Sequence, residues 1–246
     1  MTGAPPAEAE GRGVPYAFHY RLPEEFVVVR DPDTAEGWKA ALAELMPQAE
    51  AGERDDSAER LRRAAPLFAE HGDTLVDLAM CLGAEPVRDT DKLSYGVVVV
   101  SVRPSEHRDR LLAAEAAYRA KEHELREARG PLQEVDFELG KGVRGSTDTV
   151  LATKLPVGPA VMSVALRSVE LRDPARTPEG AESAGRARTL PMAVLQLVVP
   201  AARGYCVYVT LTTPSVYLLD SYAERLSHIA RTFTFDVPDA APAVVR

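Results

Sequence analysis

The chain has no asparagine, a single isoleucine (Ile229), and five lysines against 24 arginines. Asparagine, isoleucine and lysine are spelled by AT-rich codons and arginine mostly by GC-rich ones. The bias points to a GC-rich bacterial genome and carries no information about fold. Cysteine is nearly missing: Cys81 and Cys206 stand alone, each inside an apolar run. That excludes a multiply stapled disulfide scaffold and a cysteine-based zinc site, and it predicts two buried thiols in a reducing compartment, with one disulfide between them as the alternative. Long apolar runs are also missing. None approaches the ~20 residues that a membrane-spanning helix needs. The opening stretch MTGAPPAEAEGRGVP has neither the basic nor the apolar region of a secretory signal. The expectation is a cytoplasmic protein without a membrane span. Positive charge is the last shortage: 29 Lys and Arg face 37 Asp and Glu, for a net charge of −8. Such a chain repels phosphate backbones, so no nucleic-acid partner is expected.

What remains is an ordinary globular composition, 46% hydrophobic and 27% charged over 246 residues. A chain of this size buries roughly 70% of its unfolded surface and needs no staples. Residues 1–14 and 238–246 read as disordered tails around a single domain, 15–237. Ala17 to Leu22 alternates and Phe26 to Arg30 is β-branched, with Pro23-Glu24-Glu25 between, which predicts a short hairpin or bent strand. Asp33 or Thr34 caps a helix to about Gln48, with Trp38, Leu42, Leu45 and Met46 on one face. A second helix is expected from Ser57 to about Glu70, with Leu61, Ala65 and Phe68 as its stripe. Residues 74–82 fit a strand or a helix. Alternation of Val76, Leu78, Met80 and Leu82 between Gly72 and Gly83 favours a strand.

Tyr95 to Val102 is a clearer strand, and 105–129 reads as the longest helix, with Leu111, Ala114, Tyr118 and Leu125 on one face. Short strands are expected at 135–139 and 149–154, and a strong one at 160–171. A polar loop, 172–188, follows; it and residues 140–148 should be the most mobile internal segments. The C-terminal stretch reads as hairpin (190–199 and 205–212), helix and closing strand (232–237). In that helix Leu219, Tyr222, Leu226 and Ile229 share one side, and Ser215 can cap its start. Strands and helices do not alternate one for one. The predicted class is α+β, a mostly antiparallel sheet with helices packed against it.

The opening YAFHYRLPEEFVVVRDP and the close GYCVYVTLTTPSVYLLDSYAERLSHIARTFTF together resemble PsbP-like domains. That group includes the photosystem II extrinsic protein and its bacterial relatives. The resemblance implies an antiparallel sheet between helices and a role in binding other proteins. It covers about a third of the chain, at its two ends, and implies no site residue, because the group shares no active site.

Candidate chemistry is sparse. The run Gly140 to Thr147 can converge backbone N–H groups on an anion, with Lys141, Arg144, Ser146 and Thr147 assisting. Its order is wrong for a P-loop, and the alternative is a plain hairpin turn. Asp77, if 74–82 is a strand, shares a face with Leu75, Ala79 and Cys81. A carboxylate there is a buried acid that needs a partner, unless the face is half-exposed. His123, between Glu122 and Glu124, reads as part of a charged helix face, and His228 can pair with Glu224. No Gly-x-Ser-x-Gly elbow is present, and Cys206 sits mid-strand, a poor place for a nucleophile. No catalytic residue, metal or cofactor is therefore expected. The first expectation is a non-catalytic protein-interaction or chaperone-like domain with a protein partner. The alternatives are a small-anion binder or enzyme using the loop 140–147, and a structural subunit of a homo-oligomer joined through the helix at 105–129.

Overall fold

The fold is α+β: among the described residues, helices pack against an antiparallel seven-stranded sheet, with a two-stranded ribbon beside it. The computed structural model describes residues 18–64, 73–87, 90–128, 148–171, 188–201 and 204–235. In chain order the elements are β1 (Phe18–His19), β2 (Val27–Val28), α1 (Ala35–Leu45), α2 (Ala51–Ala64), β3 (Thr74–Val87), β4 (Thr90–Pro104), α3 (Arg110–Ala128), β5 (Thr149–Leu155), β6 (Gly158–Leu171), β7 (Arg188–Ala201), β8 (Tyr205–Thr213), α4 (Leu219–Thr232) and β9 (Thr234–Phe235). The sheet runs β2-β3-β4-β8-β7-β6-β5, and β1 pairs with β9.

Alternation within the strands sorts side chains onto two faces. One face carries Val98, Val100 and Val102 of β4, Leu195, Leu197 and Val199 of β7, and Val207, Val209 and Leu211 of β8, all packed with Tyr222, Leu226 and Ile229 of α4. The opposite face is covered in two places. Trp38, Ala41 and Leu42 of α1 and Ala58 of α2 pack on Leu78, Val97 and Val99. Ala113 and Ala114 of α3 pack on Val161, Val198 and Cys206.

The ambiguous segment 74–82 is a strand, within β3. A bulge between Leu75 and Asp77 shifts its register against β4, so Val76 joins Ala79 and Cys81 on the α4 face. Gly96 on β4 allows α4 to come close. A Cβ there would meet the Tyr222 ring at 2.6 Å and the Cys81 sulfur at 3.3 Å.

Several boundaries and pairings differ from expectation. β1 and β2 do not form a hairpin: β1 pairs with β9, and β2 pairs with β3. The Pro23–Phe26 turn is closed locally by Phe26 N–H on the Pro23 carbonyl, and it sends the two halves to different sheets. β9 therefore lies outside the sheet that α4 covers. It joins Phe18, Tyr20 and Phe233 in an aromatic stack, with Phe18 and Phe233 centroids 5.4 Å apart. α2 starts at Ala51, six residues before the expected Ser57, and its buried contact is Ala58. α3 starts at Arg110 because the Asp109 carboxylate accepts from the N–H groups of Leu111 and Leu112. Its inward face is Ala113, Ala114, Ala117, Tyr118 and Leu125, and Leu111 is 68% exposed. The Ser215 side chain makes no capping hydrogen bond. A 3-10 turn, Val216–Leu218, precedes α4, and the Thr213 hydroxyl accepts from Ser215 N–H instead.

Candidate functional site

Between the two helical patches on the second face, the sheet has a polar seam. Its floor is one row in register across three strands: Ser163 on β6 opposite Gln196 on β7, and Gln196 opposite Thr210 on β8. The flanking rows are largely apolar, with Val161, Val198 and Tyr208 running to Ser101 on one side and Ala165 and Val194 running to Thr212 on the other. A cleft of about 180 Å³ opens over this floor. Lys121, Glu124 and Leu125 of α3 form its wall, Asp73 and Ser101 stand at one end, and Arg167 lines it too.

Each charge in the seam has a fixed counterpart. Asp73, whose side chain is 4% exposed, accepts two hydrogen bonds from Arg103, at 2.7 and 3.1 Å, and one from Ser101 at 3.0 Å. Arg103 also lies over the Tyr208 ring, 4.5 Å from its centroid. Lys121 pairs with Glu124 at 2.6 Å. Arg167 reaches Asp148 at 3.4 Å, and Asp148 accepts from Leu166 N–H. Gln196 donates to the Thr210 hydroxyl at 2.8 Å, while its amide oxygen is the one buried side-chain N or O atom among the described residues without a hydrogen-bond partner. The arrangement is equipped to hold a polar group by hydrogen bonds. Its acids and bases are committed to structural pairs.

The residues singled out from sequence lie elsewhere. Asp77 is half-buried on the α4 face, where Tyr20, 1% exposed, donates its hydroxyl to the Asp77 carboxylate. The acid thus has its partner, a tyrosine. Burial first, and then the Asp77 charge, push the Tyr20 hydroxyl well above its ordinary pKa. Lys141, Arg144, Ser146 and Thr147 lie outside the described residues, as do His71, the tails, the strand expected at 135–139 and residues 172–187. His123 pairs with Glu127 at 3.2 Å on an exposed helix face. Cys81 and Cys206 are buried, unbridged and on opposite faces of the sheet, and burial raises both thiol pKa values. Among the described residues no three His, Cys, Asp or Glu side chains gather to hold a metal, and no helix is long and apolar enough to cross a membrane.

Sequence reasoning missed Gln196, Asp73 and Arg103. For Gln196 a signal existed. It is the lone polar residue in Ala193 to Val199, and Ser163 interrupts β6 in the same way, whereas Thr210 is one of three threonines in β8.

The second feature is an edge. β5 ends the sheet, and among the described residues no strand pairs with its outer side. Its register with β6 is unbroken from Thr149 to Leu155, and Leu151 is 57% exposed. Compared with known protein families, characterised proteins and solved structures, the chain matches no family model, no characterised protein and no solved structure.

Proposed function

We propose that the chain is a non-catalytic protein-interaction domain that takes up an extended segment of a basic partner protein along β5. The observation that carries this reading is the outer side of β5, with which no strand pairs among the described residues. An edge strand presents unpaired N–H and C=O groups, and proteins that avoid pairing blunt such edges with proline, bulges or several charges. β5 has no proline, no bulge and one charge, Lys154. Strand addition supplies affinity through the main chain, and alternate side-chain positions such as Leu151 supply selectivity. Charge argues for the kind of partner. The chain carries −8 as a whole, while α3, packed beside β5, is balanced, its four glutamates pairing with Arg119, Lys121, His123 and Arg126. A second copy would bring the same sign of charge, whereas a basic segment is attracted. The likeness of the two ends to PsbP-like domains, which mostly bind proteins, supports the same reading. In it the protein works in the cytoplasm of a GC-rich bacterium, a compartment that suits two free buried thiols.

Selection of short peptides from a displayed random library on the immobilised full chain tests the proposal. Enriched peptides should be basic, with alternating apolar residues, and Leu151→Lys should abolish their binding. Peptides that bind the variant equally well would overturn the β5 assignment. A dimer on gel filtration that Leu151→Lys dissociates would replace the partner segment with a second copy.

A further inference from the structure

The row under the cleft is polar where polarity costs stability. Ser163, Gln196 and Thr210 are direct cross-strand neighbours on β6, β7 and β8, with about 5 Å from one side chain to the next. Ser163 and Gln196 are each only 7% exposed. The Gln196 amide oxygen has no donor, and the Ser163 hydroxyl has no partner among the described residues. Buried polar groups without partners are penalised, and apolar side chains of similar size would remove the penalty. Both residues line the cleft. Its volume of about 180 Å³ exceeds the roughly 150 Å³ of a cavity that takes up benzene. The cleft therefore has room for a small organic molecule, not only for water.

The spare hydrogen-bonding capacity of the row is of both kinds. The Gln196 amide oxygen only accepts. The Thr210 hydroxyl accepts from Gln196 at 2.8 Å, and its own proton has no acceptor among the described residues. The Ser163 hydroxyl can do either. A ligand must therefore donate at one position and accept at the next. An ammonium donates only, and an ionised carboxylate accepts only. A hydroxyl does both, and neighbouring positions one strand apart call for more than one hydroxyl.

The ionised groups around the cleft are already paired: Asp73 with Arg103, Glu124 with Lys121, and Arg167 with Asp148. A charged ligand would leave water without a free counterpart there. We infer that the cleft binds a small uncharged polyol, of about the bulk of a three- or four-carbon sugar alcohol. One hydroxyl donates to the Gln196 amide oxygen, and another bonds the Ser163 hydroxyl. Ala165, Val194 and Leu125 line the cleft as well and suit the carbon skeleton. This site is independent of β5 and stands or falls separately from strand addition.

Thermal unfolding of the full chain tests it, with glycerol, erythritol, xylitol and glucose at millimolar concentration, and with lactate and ethanolamine as charged counterparts. A ligand that binds only the native state raises the midpoint by mass action. Polyols also stabilise proteins generally, by exclusion from the surface. Ser163→Ala and Gln196→Leu separate the two effects, because exclusion acts equally on the wild-type chain and both variants. At least one polyol should raise the wild-type midpoint, and neither charged compound should. Each substitution should weaken the binding at least tenfold. If Gln196→Leu fails to fold, Ser163→Ala, which removes a single oxygen, alone decides. The proposal is overturned if no polyol moves the wild-type midpoint, if lactate or ethanolamine moves it equally, or if the shift survives in either variant that folds.

Discussion

Tyr222 sits fully buried where α4 meets β4, against Gly96 and with its hydroxyl 3.9 Å from the Cys81 sulfur. Burial first pushes its pKa up to about 12 from the ordinary 10.0; the Ser94 and Thr213 hydroxyls pull it back only in part. In the unfolded chain the same phenol loses its proton near pH 10, so between 10 and 12 the unfolded state holds fewer protons than the native one. Stability is therefore complete below pH 10 and falls as pH rises through that window. Tyr20, also raised by burial, acts in the same direction. Denaturant midpoints measured across the window should fall for the wild-type chain. They should fall less steeply for Tyr222→Phe, which keeps the ring and removes the titrating group. Parallel slopes in the two proteins would show that Tyr222 is not shielded from solvent.

At the scale of elements, α4 is where sequence and structure agree best and where one residue changes the expectation. Tyr222, Leu226 and Ile229 are fully buried, as their 3, 4, 3 spacing requires. Leu226→Ala should cost roughly 2–5 kcal/mol through lost transfer energy and a cavity. Its neighbour Arg225 is not the free, solvent-facing residue that helical spacing suggests. Arg225 pairs with Glu25 at 2.7 Å, bonds Ser221 at 2.7 Å and lies 4.7 Å from the centroid of the Tyr222 ring. Arg225→Ala should then cost about 1 kcal/mol, above the under about 0.5 kcal/mol of an uninvolved surface position. Denaturant melts of both variants check the order, and equal costs would mean that α4 is turned differently. Local periodicity was enough to read the face of α4, the strand identity of 74–82 and the β7–β8 hairpin. It failed where the deciding contact is distant. Glu25 and Arg225, or Tyr20 and Asp77, meet only after the sheet has formed. The start of α3 was misplaced because the Asp109 cap, and not the apolar spacing, sets it.

For the whole molecule, topology decides which surfaces are left to do work. The antiparallel order buries one sheet face under α4 and splits the cover of the other between α1 and α3. That split leaves the polar seam, and the order ends on β5. The edge was not legible beforehand, and of the seam only Gln196, the lone polar residue of its run, stood out. A seam emerges only when Ser163, Gln196 and Thr210 come into register from three strands, and an edge is a property of strand order that no single strand encodes. Amide hydrogen exchange tests the strand-addition claim most directly, measured on the full chain free and then saturated with a peptide selected on it. The account predicts that β5, Thr149 to Leu155, exchanges faster than β7 and β8 in the free protein, and that the peptide adds protection along β5 and at the adjoining face of α3. Protection that appears over the cleft residues, or nowhere in β5, would contradict it.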